Sequence, residues 1–459
     1  MMMQDALPGV KRFLKAVKIE PWIQGYIIGF IGGFVAHLGR MSASQAAQAV
    51  RTRARHRGNV VRFLAKQRWS GDWCVLEQVA ELVLGAETAR GGTWVFNLDQ
   101  TLVGQQGQKT ENTFSTGNRK RRPCKGRRFQ KYTYARKSCH CFVMGLLLTP
   151  SGIRIPCWRS YYTEAYCASK KRLYRKQTEL AAELIGAVHV PPGANVVVLG
   201  DTAFDAECIR DACAARGFTW IVPMNPERVL AGPKGKRPKV RSLVEKFSAS
   251  QFAPVRLKPG TGRFVAQRRI ACCRLGPKVK TRTWYAHGER RQVHSVGEVQ
   301  IVFSTREEPK RGQPVQVAKI LMTNDCVRSV AEVVELYTLR WQIELFFKEL
   351  KSTLGFHQYR FRSFVKVEAW VALCLLTFLY LEWYRAYQLR QRGLTPKQKA
   401  WWLWQRAYGL CLAVRQQTEE TELNHLAQCT HTRAGLKKLK QLLRAARPLE
   451  YRPTARRAS

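Results

Sequence analysis

Short apolar runs mark the middle of the chain as rich in strands. TWVFNLD (93–99) and NVVVLGD (195–201) are apolar for several residues and then end in a carboxylate. Runs of this length are typical of buried strands. CFVMGLLLT (141–149) and IRIPCWRSYY (153–162) flank Pro150-Ser151-Gly152, and this arrangement predicts a hairpin.

Helical patterns alternate with the later strands. Residues 169–187 and 206–217 repeat apolar and alanine positions at helical spacing, and Gly217 closes the second pattern. FTWIVPM (218–224) then predicts another buried strand. Three strands followed by this alternation favour an α/β fold, with a mixed sheet packed by helices.

The flanking segments have other patterns. Residues 225–320 break the alternation with a Pro/Gly-rich loop and strand-like pieces at 263–275, 279–287, 298–305 and 315–323. We therefore predict five regions: a helical region (1–90), the first part of the α/β domain (91–224), a β-rich insertion (225–325), the last part of the α/β domain (326–393) and a helical basic C-terminal region (394–459).

The segment 329–355 is the strongest amphipathic pattern. Ser329 and Glu332 fit a capping box, and Gly355 suits a helix end. On a wheel of about 100° per residue, Tyr337, Arg340, Glu344 and Lys351 share a stripe roughly 60° wide beside a full apolar face. An ordinary amphipathic helix with an Arg340–Glu344 charge pair is the alternative interpretation of the stripe.

Two strand-end carboxylates give this stripe a chemical context. Asp99 and Asp201 each end a hydrophobic strand, where a carboxylate is a poor strand former and costly to bury. A lone aspartate there is usually a cap or turn residue, and Asp205 competes with Asp201 from the following turn. Two such aspartates and a helix-borne Glu344 form an oxygen-rich set that suits Mg²⁺ or Mn²⁺.

The net charge of the chain indicates what kind of macromolecule it binds. Lys and Arg number 78 against 32 Asp and Glu, which gives a formal net charge of +46 over 459 residues. The chain is also 45% hydrophobic, and a disordered basic tail lacks that apolar content. A folded protein with this surface charge favours nucleic acid as partner over an anionic membrane.

The cysteines and the apolar stretches indicate a cytoplasmic location. The 14 cysteines include no CxxC pair and no four-ligand zinc spacing, so we interpret them as reduced small hydrophobes. The apolar stretches 25–36 and 369–381 are shorter than the ~20 residues of a spanning helix. We predict core helices for both, with a signal or anchor as the alternative for the first.

The two aspartate strands and the Tyr337-x2-Arg340-x3-Glu344-x6-Lys351 spacing resemble the DDE transposases of bacterial insertion sequences. The branch is the one marked by this Tyr-Arg-Glu-Lys signature, and the resemblance spans roughly residues 60–390. It implies an RNase H-like catalytic domain in two parts, 91–224 and 326–393, with the β-rich insertion 225–325 before the catalytic glutamate. It also implies cleavage and strand transfer at transposon ends by two metal ions, in a homodimer on DNA in the bacterial cytoplasm. The net charge favours DNA binding by the helical region 1–90.

Site roles follow from the resemblance by position. Asp99, Asp201 and Glu344 would be catalytic and would hold the metals, while Tyr337, Arg340 and Lys351 would grip DNA near the transposon terminus. Related enzymes hold a flipped base with an aromatic residue of the insertion, and Trp284 is the candidate here, with core packing as the alternative.

A basic loop completes the set of candidate sites. Residues 109–137 contain 11 Lys and Arg and one Glu, and the loop should border the site because it follows the first aspartate strand. We predict that Arg119, Lys120, Arg121 and Arg122 contact phosphates, with aromatic residues nearby for stacking. A solvated flexible loop is the alternative.

Two other functions remain open from the sequence. An RNase H-like nuclease would share the carboxylates and cut without joining. A DNA-binding protein descended from a transposase would bind without cutting, and the three carboxylates argue against it.

Overall fold

The computed structural model describes residues 7–15, 17, 19–37, 42–45, 57–65, 74–89, 91–105, 109–115, 138–231, 237–257 and 283–428. The predicted phosphate contacts Arg119, Lys120, Arg121 and Arg122 lie outside the described residues, as does the strand-like piece 263–275.

The helices occupy both ends of the described chain and the connections between strands. They are α1 (Val10–Lys15), α2 (Pro21–Ala36), α3 (Arg57–Ala65), α4 (Cys74–Leu84), α5 (Glu164–Lys170), α6 (Gln177–Ala187), α7 (Glu207–Ala215), α8 (Arg241–Val244), α9 (Val330–Thr338), α10 (Trp341–Ser352), α11 (Phe364–Leu389), α12 (Pro396–Trp404) and α13 (Ala407–Gln428).

The strands fall between α4 and α9. They are β1 (Thr93–Gln105), β2 (Phe114–Ser115), β3 (Ser138–Leu148), β4 (Arg154–Ser160), β5 (Asn195–Leu199), β6 (Thr219–Pro223), β7 (Ala253–Arg256), β8 (Thr283–Val293), β9 (Gly297–Thr305) and β10 (Lys319–Thr323).

These strands form one mixed sheet of ten strands in the order β2-β3-β1-β5-β6-β10-β9-β8-β7, with β4 also paired to β3. β1, β5 and β6 are parallel to one another. β3 is antiparallel to β1 on one side, and β10 is antiparallel to β6 on the other. β4 is antiparallel to β3 and therefore runs in the direction of β1. The predicted α/β class with a mixed sheet flanked by helices is therefore confirmed. The arrangement is consistent with an RNase H-like domain.

The predicted hairpin joins β3 to β4. The turn residue Gly152 has φ +84°, a left-handed conformation that glycine adopts at little cost. β3 is buried along almost its whole length because helices and neighbouring strands cover both of its faces. This burial explains its nearly continuous apolar sequence.

The strands predicted for the β-rich segment extend the central sheet. β10 pairs antiparallel with β6, with Met322 opposite Val222, and β9 pairs with β10. β8 and β7 follow outward. The segment therefore adds its strands to the edge beside β6 and shares the hydrophobic core of the sheet.

The long helix α11 is the central core helix of the helical side. It packs against α2, α3, α4, α12 and α13 and against β4. By length and composition its 26 residues could cross a membrane, but 89% of its most apolar window is buried inside the protein. The apolar stretches 369–381 and 25–36 are thus core segments of α11 and α2.

Two predicted helices are each divided in the structure. The segment 169–187 is interrupted because Lys171 adopts a left-handed conformation, so α5 ends before it and α6 begins at Gln177. The segment 329–355 forms α9 and α10, which are separated by a turn at Leu339 and Arg340. The predicted capping box of Ser329 and Glu332 is confirmed at the start of α9.

Candidate active site

Asp99 and Asp201 lie near each other at neighbouring parallel strands. Asn97 of β1 is in register with Leu199 of β5. Asp99 follows Asn97 by two residues within β1, which continues to Gln105, so the prediction that Asp99 ends its strand is wrong. Asp201 lies two residues beyond the end of β5. Adjacent strands are about 4.8 Å apart. The sheet therefore brings together two carboxylates that are a hundred residues apart in sequence.

A tight turn fixes the position of Asp201. Its Oδ1 accepts a hydrogen bond from the backbone N–H of Ala203 at 2.9 Å and caps the short 3₁₀ turn Thr202–Phe204. A Cβ on the preceding Gly200 would lie 2.9 Å from the Cβ of Phe204, so only glycine fits this turn without a shift.

Asp205 is engaged elsewhere. Its carboxylate contacts Arg210 Nη1 at 2.7 Å and Arg228 Nη2, and its side chain is only 8% exposed. Both oxygens of the competing carboxylate are therefore committed to ion pairs. Asp201 remains the aspartate at the end of β5, as the sequence predicts.

The turn between α9 and α10 is held against β1. The backbone N–H groups of Leu339 and Arg340 each donate to the carbonyl three residues earlier, which tightens the helix locally into a 3₁₀-like turn. The side-chain amide of the fully buried Asn97 donates to the carbonyl of Leu339 at 3.3 Å. Sequence reasoning overlooked Asn97, although a polar residue inside an apolar strand is the signal that would identify it.

Arg340 spans two of the three carboxylates. Its Nη2 lies 3.0 Å from Glu344 Oε1, and its Nη1 makes a longer contact of 3.5 Å with Asp99 Oδ2. The Arg340–Glu344 pair is the i,i+4 interaction expected on a helix. The contact with Asp99 also ties the start of α10 to the sheet.

The pKa of Asp99 depends on its burial and on the charges of its neighbours. Burial raises the pKa of Asp99 to about 6, and the charges of Asp201 and Glu344 act in the same direction. The backbone N–H of Gln100 and the Arg340 guanidinium oppose this rise. Negative charge is therefore concentrated around Asp99, and Arg340 offsets only part of it.

Tyr337 and Lys351 lie at the same centre. Tyr337 is buried, its hydroxyl points to the carbonyl of Gly200 at 3.4 Å, and burial raises its pKa to about 12. Burial lowers the pKa of Lys351, while Asp99 and Glu344 act in the opposite direction. The structure thus brings all four residues of the stripe to Asp99 and Asp201, despite the break in the helix.

Trp284 lies away from the carboxylates, on β8. It is half-buried against the core, and the Arg306 guanidinium lies 5.7 Å from the centroid of its ring. This position is compatible with either core packing or a contact to DNA.

The donor chemistry of the centre fits a divalent ion, because three carboxylates supply the oxygen ligands that Mg²⁺ and Mn²⁺ prefer. Within the described part of the chain, however, no group of three or more His, Cys, Asp or Glu side chains is placed to hold an ion. Arg340 lies between Asp99 and Glu344 in this arrangement. A bound ion would take over the charge compensation that Arg340 now provides.

The fold and the gathered carboxylates define an RNase H-like α/β protein with an acidic centre. Residues 175–380 match the family model of the transposase DDE domain. This segment includes Asp201 and the whole Tyr337–Lys351 stripe, covers somewhat less than half of the chain and begins after Asp99. No curated protein matches the chain. The match supports a transposase of the DDE class, a family that acts on DNA and generally uses divalent metal ions.

Proposed function

We propose that this protein is a DNA transposase of the Tyr-Arg-Glu-Lys branch. It cleaves phosphodiester bonds at the ends of an insertion sequence and joins the resulting 3′-OH to target DNA. One observation carries the proposal: Asp99, Asp201 and Glu344 come from three distant segments, yet β1 and β5 bring the two aspartates together and Arg340 contacts both Asp99 and Glu344.

The three carboxylates would hold the metal ions, which supply activation of the attacking oxygen and stabilisation of the leaving oxygen of a phosphodiester. Asp99 is mostly ionised at neutral pH because its pKa is about 6, so it is available as a ligand. Lys351 and Arg340 place positive charge beside the carboxylates, where DNA phosphates would bind. Tyr337 stays neutral near pH 7 and can donate a hydrogen bond.

Other parts of the proposal rest on the sequence and the resemblance. The active form is a homodimer on DNA in the bacterial cytoplasm, with transposon ends and target DNA as partners and two Mg²⁺ or Mn²⁺ ions as cofactors. Arg119, Lys120, Arg121 and Arg122 contact phosphates, and Trp284 holds a flipped base. The N-terminal region 1–90 contributes further DNA contacts.

The test uses the purified full-length protein with duplexes from the DNA that flanks the coding region. Asp99→Asn, Asp201→Asn and Glu344→Gln should each abolish Mg²⁺-dependent nicking, because losing one anionic ligand weakens the metal site. Asp211→Asn is the matched control, since it makes the same change on the exposed side of α7.

The DNA products of this assay distinguish the three candidate functions. Joining of the 3′-OH to a second duplex supports a transposase, whereas nicking without joining supports an RNase H-like nuclease. Binding without metal-dependent nicking supports a DNA-binding protein derived from a transposase. Wild-type nicking by Glu344→Gln would rule out the assigned carboxylate centre.

A further inference from the structure

We propose that Lys319, at the start of β10, and Arg306, just after the end of β9, form a phosphate-binding subsite beside the carboxylates. The ligand is a backbone phosphate of the DNA strand. This inference rests on the proposed function and adds two residues that lie outside the Tyr-Arg-Glu-Lys stripe.

The end of β9 and the start of β10 bring these side chains together. Lys319 of β10 lies opposite Ser304 of β9, so these two side chains point to the same side. Arg306 lies one residue beyond the end of β9, close enough for its charge to act on Lys319. Tyr285 of β8 pairs with Thr305. The same register sets Trp284 opposite Arg306, in agreement with the 5.7 Å between the Arg306 guanidinium and the Trp284 ring.

This face continues into the acidic centre. Lys319 Nζ lies 4.7 Å from the centroid of the Tyr337 ring. β10 is antiparallel to β6, so Lys319 begins its strand at the sheet edge where β5 ends before Asp201. Only β6 separates β5 from β10, which corresponds to about 10 Å across two strand spacings. The subsite is thus a short distance from the place where a scissile phosphate would lie.

The two side chains of the cluster carry positive charge and act on each other. Burial lowers the pKa of Lys319, and the charged groups that lower it further are Arg340 and Arg306, both cations. Among the described residues, neither Lys319 nor Arg306 belongs to an ion pair, although the chain forms such pairs on either side of them. Two neighbouring cations of this kind favour an anion between them, since a phosphate would relieve their mutual repulsion.

The side chains around Lys319 and Arg306 fit a DNA strand better than a small anion. Lys319 and Arg306 supply charge, and the half-buried Trp284 ring supplies a face on which a sugar or base can stack. Both cations are exposed enough to reach a ligand. A strand that passes over β10 and β9 would contact Lys319 with one phosphate and Trp284 with the next base.

The experiment measures binding of the full-length protein to a labelled duplex from the flanking DNA, and to a mixed-sequence duplex of equal length, at several salt concentrations. Lys319→Gln should weaken binding to the flanking duplex roughly tenfold, as expected when a charge-assisted hydrogen bond is lost. It should also reduce the slope of log affinity against log salt by about 0.9. Lys319→Arg should retain binding, and Lys310→Gln is the matched control in the exposed loop after β9.

Because Lys319 also contacts the Tyr337 ring, its substitution changes packing as well as charge. A second variant at Arg306 separates the two effects. Arg306→Gln should weaken binding similarly, and its contact is with Trp284 on β8. If both variants match Lys310→Gln while Arg340→Ala weakens binding, the subsite is wrong and the proposed function stands. If the wild-type protein does not prefer the flanking duplex, the proposed function itself is contradicted.

Discussion

Burial of the Asp99 carboxylate lowers the free energy of unfolding at neutral pH. Its pKa is raised from 3.8 to about 6, mainly by burial, so the folded protein holds this proton more tightly than the unfolded chain. The resulting stabilisation is fully present below pH 4 and is lost as the pH rises through 6. By linkage the cost at neutral pH is roughly 3 kcal/mol of unfolding free energy.

We therefore expect Asp99→Asn to melt at a higher temperature than the wild type at pH 7 without metal. The advantage should shrink towards pH 4, where the wild-type carboxyl is protonated. Thermal melts from pH 4 to pH 8 in chelator measure this. An unchanged pH profile in Asp99→Asn would contradict the raised pKa.

Added metal should reverse the order of the melting temperatures of the wild type and Asp99→Asn. A divalent ion needs ionised Asp99, so added MgCl₂ should raise the melting temperature of the wild type at pH 7 and have less effect at pH 5. Asp99→Asn should show little of this shift at either pH, and Asp211→Asn should respond like the wild type. Equal magnesium shifts in Asp99→Asn and the wild type would remove Asp99 from the metal site.

Asp201 and Asp205 make opposite predictions although they are four residues apart. Asp205→Asn should destabilise the fold by roughly 3 kcal/mol, because it leaves Arg210 and Arg228 without their buried partner. Asp201→Asn should keep the fold and lose nicking. Melts and nicking assays on the two variants check this, and a stable, inactive Asp205→Asn beside an active Asp201→Asn would reverse the assignment.

At the scale of elements, α10 presents its functional and structural faces separately. Glu344→Gln should keep the helix, since both residues are good helix formers, and should retain DNA binding without nicking. Lys351→Ala and Arg340→Ala should weaken binding by roughly 1–3 kcal/mol, and high DNA concentration should restore part of their activity.

Phe346 is fully buried, with its ring 4.9 Å from that of Phe378. Phe346→Ala should cost about 3–5 kcal/mol of stability. Gel shifts, nicking assays and melts on this set test the separation, and Glu344→Gln losing activity only through unfolding would make the stripe structural.

A buried ionic network anchors the other end of α10. Glu349 Oε1 lies 2.6 Å from Arg154 Nη1 of β4, and Glu349 Oε2 accepts from the backbone N–H of Ala407 at 2.9 Å. Arg154 also contacts Glu382 of α11. The helix that carries Glu344 is thus fixed between the sheet and the start of α13.

Breaking this network should be costly, because an uncompensated charge would remain buried. Glu349→Gln should lower the unfolding free energy by about 3–5 kcal/mol, as measured by urea denaturation. Glu419→Gln is the control, since it removes an exposed i,i+4 pair with Arg415 and should change stability by less than about 0.5 kcal/mol. Similar midpoints for the two variants would show that the network does not stabilise α10.

The sequence predicted the features that depend on local pattern. Apolar runs located β1, β3, β4, β5 and β6, and the carboxylates that follow two of these runs made Asp99 and Asp201 candidates. β1 nevertheless continues past Asp99 to Gln105, because its second half is paired with β3. The break at Leu339 and Arg340 was missed because a helical wheel records angular position and not a tightened turn. The contact of Arg340 with Asp99 and the ion pairs of Glu349 were missed because the partners are distant in sequence. Such pairings appear only when the strands are placed in the sheet.

At the scale of the whole molecule, the net charge of +46 provides many cations for phosphate contacts. Each phosphate contact contributes about 0.9 to the slope of log affinity against log salt. We therefore expect DNA binding to weaken steeply as salt increases. Neutralising Arg119, Lys120, Arg121 and Arg122 together should weaken binding and flatten this slope, by up to roughly 3.6 if all four contact phosphates.

A control of equal charge is needed, because removing four positive charges also weakens long-range attraction. Lys171, Arg241, Lys246 and Lys310 are exposed, so a variant with glutamine at these four positions changes the net charge by the same amount. Fluorescence anisotropy with the flanking duplex over a salt series compares the two sets. A flatter slope only in the loop variant would place the loop at the DNA. Equal slopes in the loop variant and the wild type would remove the loop from the interface, and the basic stretch 109–137 would then serve as a solvated segment beside the site.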